Sequence, residues 1–262
     1  MSENDRRVFA KERWQHIESL LEENGRVAVD ELSLLFNVSR VTIRKDLDEL
    51  ERQGIVRRTY GGAIALAADI NRADPTFKER NLVQPAEKSR IGALAASLIN
   101  HGDTVVFDAS TTALQVVKRI KDRHELTVVT NGLYIAMELE DAPGITVVMP
   151  GGVLRRGPLS LVGDPGYDAL TRLNFQKGFF GSKGITVKEG LTDVNAFEVQ
   201  TKRAMVASSQ QVIAIVDHTK WGRIAFASFA SLADVDIVIT DTDAPPTMVN
   251  ALRDRGIEVL LA

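Results

Sequence analysis

Ser39-Arg40-Val41-Thr42-Ile43-Arg44-Lys45 places a hydroxyl, three cations, a threonine and a valine within two helical turns, and Arg57-Arg58 follows shortly after. These residue types suit a nucleic-acid groove. Arg and Lys reach guanine acceptors, Thr bonds a base edge or phosphate, and Val meets a thymine methyl. With Ile43, Leu47 and Leu50 as a buried stripe at about 100° per residue, Arg40, Val41, Thr42, Arg44 and Lys45 point outward beside a Ser39 cap. An outward Val41 is hard to justify except on a contact surface. Backbone N–H groups at such a helix start can also take a phosphate. Arg57 and Arg58 stand where a hairpin wing would touch backbone or minor groove. Asp46, Asp48, Glu49 and Glu51 dilute the local charge, so a solvated amphipathic helix is the competing reading.

A second set of residues suits a small anion. Asp108-Ala109-Ser110-Thr111-Thr112 follows an apolar run and opens a helix, where hydroxyls and free N–H groups make a phosphate seat. A plain Ser/Thr N-cap is the simpler reading. Asn131 ends the next strand in the same way. Gly151-Gly152 ends another, and admits either close approach to a ligand or an ordinary turn. Asp193, Glu198, Lys202, Asp217 and Lys220 are polar groups near strand or helix ends, with Lys202 and Lys220 the candidates for neutralising phosphate. Asp108, Asp193 and Glu198 are also conceivable bases for a sugar-phosphate enzyme. Against that, none of the four histidines, His16, His101, His124 and His218, falls in a recognisable acid–base constellation.

The elements that position the first set fill residues 11–66. Trp14, Ile17, Leu20 and Leu21 mark a first helix that stops at Asn24-Gly25, and Arg26–Val29 is extended. Asp30 reads as the N-cap of a short helix burying Leu32, Leu35 and Phe36. Asn37-Val38 turns the chain into the Ser39-capped helix, which ends at Gly54. Ile55–Tyr60 and Ala63–Leu66 flank Gly61-Gly62, a hairpin pattern. The order is that of a winged helix-turn-helix.

Residues 67–84, holding Pro75 within an Ala-, Asp- and Asn-rich start, read as a linker. Beyond it, 85–262 alternates helices with short apolar strands at Thr104–Asp108, Leu126–Thr130, Ile145–Met149, Lys177–Gly181, Val212–Val216, Asp236–Thr240 and Glu258–Leu261. A helix over 85–100 buries Ile91, Leu94, Ala95, Leu98 and Ile99. Such alternation predicts a largely parallel α/β sheet covered on both faces.

Composition bounds the remaining choices. At 262 residues, 44% hydrophobic and 26% charged, the chain has material for two folded domains. The net charge of −3 lends no support to nucleic-acid binding, which must rest on where the charges lie. There are no cysteines, which excludes disulfides, thiolate metal sites and a cysteine nucleophile and fits a cytoplasmic location. No stretch reads as a signal peptide or membrane span. No His or carboxylate cluster has metal-ligand spacing, no glycine-rich loop ends in Gly-Lys-Ser/Thr, and no cofactor is expected.

From Arg13 to Ala63 the chain resembles the N-terminal domain of DeoR-type transcriptional regulators: VSRVTIRKDLDELERQG stands where that family has its recognition helix, and Gly61-Gly62-Ala63 matches its wing. Ser33 departs from the alanine often found where the two helices approach. The resemblance continues through Phe77–Arg80, Glu87-Lys88, Asp108–Thr112, Thr130-Asn131, Gly151-Gly152, Arg155, Ser160–Gly163, Gly190–Asp193, Glu198, Lys202–Met205, Asp217 and Lys220. It implies an α/β sensor domain similar to ribose-5-phosphate isomerase and glucosamine-6-phosphate deaminase. It further implies a homodimer or homotetramer that binds double-stranded operator DNA and responds to a phosphorylated sugar or sugar-acid effector. A repressor of carbohydrate use is the expected role; an activator, or an enzyme with an appended DNA-binding domain, is the alternative. Lys183 stands where the family has an acidic, small or amide residue. It implies either a more anionic ligand or a solvated charge. His218 replaces a usual serine beside Asp217.

Overall fold

The computed structural model describes residues 10–24, 26–53, 55–59, 61–65 and 75–262. The chain divides into two compact units between Arg72 and Ala73. In the first, α1 (Ala10–Asn24), β1 (Arg26–Ala28), α2 (Val29–Leu35), α3 (Arg40–Arg52), β2 (Val56–Thr59) and β3 (Gly62–Ala65) follow one another. The strands form an antiparallel sheet in the order β1-β3-β2. Ile17, Leu21, Leu32, Phe36, Ile43, Leu47, Leu50 and Val56 make its core. Gly25, Gly54, Tyr60, residues 66–74 and the side chain of Arg57 lie outside the described residues.

Two sequence expectations change in this unit. Asp30 is not the N-cap of α2; the helix begins at Val29 after Ala28. The Val29 N–H donates instead to the carbonyl of Gly61 in the wing turn, at 2.8 Å. Leu35 is exposed, because the buried stripe runs Val29, Leu32, Phe36 and leaves position 35 off its edge. Ser33 is accommodated where α2 meets the turn, its hydroxyl donating to the Val38 carbonyl at 2.7 Å.

The second unit begins earlier than the pattern predicted. Residues 77–84, read as linker, carry α4 (Phe77–Asn81), whose N-terminus is closed by a capping box between Thr76 and Glu79. The segment folds here because Phe77 is buried, stacks on Tyr134 with centroids 4.2 Å apart, and donates its N–H to the Gly157 carbonyl. Then come α5 (Pro85–Ala96), β4 (Thr104–Phe107), α6 (Thr111–Val117), β5 (Leu126–Thr130), α7 (Leu133–Glu138), β6 (Ile145–Val148), β7 (Val153–Arg155), β8 (Ser160–Val162), α8 (Asp164–Leu170) and β9 (Phe175–Phe180). The chain continues through β10 (Gly184–Thr186), β11 (Gly190–Asp193), α9 (Ala196–Ala207), β12 (Ser209–Ile215), β13 (Ala227–Ala230), β14 (Ile237–Thr240), α10 (Pro246–Arg253) and β15 (Glu258–Leu261). Expected as a helix to residue 100, α5 stops at Ala96. The Leu98 and Ile99 N–H groups bond carbonyls three residues back and tighten the last turn.

All seven expected strands join one parallel sheet in the order β15-β14-β12-β9-β4-β5-β6. Side chains alternate between its faces: Val105 and Phe107 enter one core, Val106 the other. The β7–β8 hairpin and the small β10-β11-β13 sheet, made of short strands, were not foreseen. Strands β4, β5 and β6 progress one way from the centre and β9, β12, β14, β15 the other. A topological switch point therefore lies between β4 and β9, where open α/β sheets leave a crevice at the strands' carboxyl ends. No helix among the described residues is long and apolar enough to cross a membrane.

Candidate functional site

Helix α3 displays the predicted surface. Ser39 accepts the Thr42 N–H at 3.1 Å as N-cap, and Ile43, Leu47 and Leu50 are buried beneath. Arg40, Val41, Arg44 and Lys45 are exposed and Thr42 is half-buried; Val41 retains 59% of its surface, too much for a core residue. Arg40 meets Asp30 at 2.8 Å, with both side chains largely in solvent.

One of the four nearby acids does not share this face as the sequence suggested. Asp46 points inward and is buried, bound by Arg13 through two hydrogen bonds of 2.9 and 3.1 Å and by the Trp14 indole N–H at 2.9 Å. Glu49 is engaged by Arg52 at 2.5 Å. Asp48 meets Arg58 at 3.3 Å, and Glu51 accepts the Arg58 N–H. The Arg58 guanidinium also donates to the Arg44 carbonyl at 3.1 Å. Arg58 thus fastens strand β2 to α3, a structural duty beside the predicted phosphate contact. Only the backbone of Arg57 is described, paired with Ile64.

In the second unit a cavity of about 260 Å³ opens beyond the carboxyl ends of β4, β9 and β12. Ser110, Thr111, Thr112, Lys183, Asp193, Lys202, Asp217 and Lys220 of the predicted set line it. Arg80 and Lys88, named from sequence only within stretches of family resemblance and not as site residues, line it too. Lys88 was detectable: it sits three residues before Ile91 and seven before Ala95, in register with the buried stripe of α5. Gly181 lets the loop after β9 reach the cavity, since a Cβ there would lie 2.6 Å from that of Ser110.

The cations are of two kinds. Lys202 is buried, and its ammonium donates to Asp193 at 2.6 Å, Asp108 at 2.8 Å and the Gly181 carbonyl at 2.8 Å. Burial alone would lower its pKa, but the two carboxylates outweigh that and raise it. Burial likewise works to raise the Asp193 pKa, and Lys202 reverses it so that the carboxyl is held below its usual range. All three Lys202 protons are committed to these internal partners. Lys88 differs. Its ammonium donates to two backbone carbonyls, those of Arg80 and Val83, at 2.7 and 2.5 Å. Burial pushes its pKa down to about 8, Asp217 opposes this, and Lys220, Arg80 and Lys183 add to it. Lys220 lies 3.5 Å from the inner oxygen of Asp217. Five cationic and three acidic side chains line the cavity, so its charge suits an anion.

Other predicted residues stand behind this cavity. Asp108 is fully buried and accepts N–H groups from Ser110 at 3.2 Å and Gly181 at 2.9 Å, besides its ion pair with Lys202. Asn131 donates to the Leu161 carbonyl at 3.0 Å and to Glu198 at 3.5 Å. Glu198 is held by buried Arg155 at 3.0 Å and by Ser160, and it borders a much smaller neighbouring hollow. Gly151 and Gly152 line neither. Gly152 has φ 120° and a Cβ there would lie 2.5 Å from the Val162 carbonyl, so the backbone packs closely against β8 at this turn. His218 pairs with buried Asp241 at 2.9 Å. Asp243 joins them, with ligand-type atoms within 4.8 Å, a grouping that sequence spacing did not disclose; its hydrogen bonds anchor the loop after Asp217.

Comparison with known proteins agrees with both halves. Residues 13–68 match the DeoR-like helix-turn-helix domain and residues 83–242 the DeoR C terminal sensor domain. The HTH-type transcriptional regulator GolR of Listeria innocua is 35% identical over 97% of this chain and 100% of its own length. The glycerol-3-phosphate regulon repressor of Escherichia coli (strain K12) is 32% identical over 95% of this chain and 98% of its own. Among solved structures, ribose 5-phosphate isomerase A of Methanocaldococcus jannaschii aligns with 51% of this chain and 53% of its own at 13% identity and a TM-score of 0.37, a distant likeness. With an exposed basic recognition helix and an α/β unit both matched to their models, the chain belongs to the DeoR family of DNA-binding transcriptional regulators.

Proposed function

We propose that this regulator represses a carbohydrate-utilisation operon in the cytoplasm, as a homodimer or homotetramer, and leaves its operator when a phosphorylated sugar or sugar acid enters the cavity of the second unit. The observation that carries the reading is the cation-rich cavity at the sheet's switch point, where Arg80, Lys88, Lys183 and Lys220 face hydroxyls of Ser110, Thr111 and Thr112. Its volume lies at the small end for ligand sites, which suits a compact anion over a large cofactor. The effector acts by linkage: it must bind the DNA-free state more tightly than the DNA-bound one, and shifts operator affinity by that ratio alone. In a dimer, two copies of α3 would read half-sites about 34 Å apart or a multiple of that spacing.

The test is a panel of sugar phosphates and sugar-acid phosphates screened by thermal stabilisation of the full chain. Stabilising compounds are then added to a gel-shift assay on DNA flanking the gene. One class of phosphate monoester should stabilise the protein and release the DNA. A flat panel would remove the effector assignment, and tighter DNA binding on effector addition would make the protein an activator or co-repressor-dependent.

A further inference from the structure

Pro75–Gln84 forms one wall of the cavity, contributing Pro75, Glu79, Arg80 and Val83. It is also the stretch of the second unit nearest in sequence to the DNA-binding unit, which ends at Arg72. Its start is fixed by the Thr76–Glu79 capping box and by Phe77 against Tyr134. Its end is fixed differently. The Lys88 ammonium holds the carbonyls of Arg80 and Val83, and Gln84, at a left-handed φ of 49°, reaches His218 at 3.4 Å.

Arg80 lies between these anchors and is poorly satisfied. Its guanidinium lies 5.5 Å from the centroid of the Phe77 ring and reaches the Ala109 carbonyl only at 3.5 Å, while its Nε is buried with no hydrogen-bond partner. A guanidinium offers five N–H donors in a planar fork, and a phosphate or carboxylate edge matches that fork with two parallel bonds. Arg80 borders the main cavity and the smaller hollow beside it, so an oxyanion there can reach it.

Resting on the reading of this cavity as the effector site, we propose that Arg80 binds the effector's oxyanion and thereby transmits occupancy to the Pro75–Gln84 segment. Lys88 reinforces the coupling, because one ammonium both faces the cavity and caps the carbonyls that end α4. Ligand charge at this corner therefore tightens or shifts the Pro75–Gln84 stretch.

The experiment uses the full chain with inorganic phosphate, glycerol 3-phosphate and glucose 6-phosphate as probes, read by calorimetry and by amide hydrogen exchange. In the wild type the tightest-binding probe should slow exchange at both Thr111–Leu114 and Phe77–Val83. Arg80→Ala should weaken that probe at least 10-fold, and at saturation should protect Thr111–Leu114 while leaving Phe77–Val83 at its ligand-free rate. Arg80→Lys, which keeps the charge and loses the fork, should recover part of the affinity, and replaces Arg80→Ala if that variant does not fold. Unchanged affinity in the Arg80 variant, or unchanged protection of Phe77–Val83, overturns this inference and leaves the effector site standing. If the wild type binds none of the probes, and no other phosphate monoester or sugar acid from the panel, both fall together.

Discussion

Replacing Lys202 by Met separates its structural role from the ligand-binding role that sequence assigned to it. The ammonium is buried and holds Asp193 at 2.6 Å, Asp108 at 2.8 Å and the Gly181 carbonyl at 2.8 Å. Removing one partner of a buried ion pair costs about 3–5 kcal/mol, because the remaining charge is left uncompensated. In a unit the size of Ala73–Ala262, each kcal/mol moves Tm by about 2–4 °C, so Lys202→Met should lower the second-unit transition by about 6–20 °C. The two carboxylates do not suffer equally. Asp108 keeps backbone N–H bonds from Ser110 and Gly181, whereas Asp193 keeps that of Val194 at 2.8 Å. With less backbone support, Asp193 should take up the proton in the variant. The pH dependence supplies the second readout. In the wild type the Asp193 pKa is lowered, so its contribution is present above the unfolded value and lost as pH falls through the folded one. In Lys202→Met the same carboxyl is buried without this cation and its pKa rises, so the variant regains stability as pH falls. The gap between the two proteins should narrow from pH 8 to pH 5 in calorimetric scans, and Lys202→Met with Asp193→Asn should melt above the single variant. A drop under about 2 °C, or a gap independent of pH, would refute a buried structural cluster and return Lys202 to the ligand.

Asp46→Ala leaves the buried Arg13 without this carboxylate and deprives the Trp14 indole of its acceptor; the DNA-binding unit should lose about 3 kcal/mol or more. Denaturant titration followed by Trp14 fluorescence in a Trp221→Phe background measures it, since the chain has only these two tryptophans. Arg44→Ala with Lys45→Ala should abolish specific operator binding with the fold intact by circular dichroism, and reduce the salt slope of residual binding by about two phosphate contacts; retained specificity would mean that another element reads the DNA. Lys88, with its pKa near 8, is charged at pH 7 and largely neutral at pH 9. Affinity for a phosphate monoester should therefore fall by up to about 10-fold across that interval, and Lys88→Met should flatten the profile.

Legibility followed the range of the interactions. The recognition helix was readable because its stripe, its Ser39 cap and its outward Val41 are set within two or three turns. The seven central strands were readable as apolar runs, since a strand buried on both faces needs no partner's identity to be recognised. Asp46 was misread although its position was computable: it stands three residues after Ile43 and four before Leu50, on the buried stripe. Its counter-ion, Arg13, lies 33 positions away, and only the tertiary fold joins them. The ion pairs of Lys202 were hidden in the same way, its partners being contributed by β11 and by the turn after β4. The three-strand sheet β10-β11-β13 escaped because strands of three or four residues carry too little alternation to register against turns.

The same long-range pairing bears on whether this fold turns over a sugar phosphate. A general base needs an unencumbered lone pair within reach of a substrate proton and a pKa near the working pH. Of the three carboxylates that sequence offered for the task, Asp193 is held below its usual range by Lys202. Asp108 gives its oxygens to two backbone N–H groups and to that same lysine. Glu198 is bound by Arg155, Ser160 and Asn131, away from the main cavity lining. Asp217, a further buried acid at the cavity, is engaged by Thr219 and faces Lys220. The three acids that sequence offered thus hold a cation or a neighbouring strand, which favours binding over proton abstraction, while Asp217 keeps its Oδ2 without a hydrogen-bond partner. The purified protein should neither isomerise ribose 5-phosphate nor deaminate glucosamine 6-phosphate above the buffer rate, even where these compounds raise its Tm. Turnover that disappears in Asp193→Asn or Asp217→Asn while the fold is retained would overturn this expectation and make the DNA-binding unit an appendage to an enzyme.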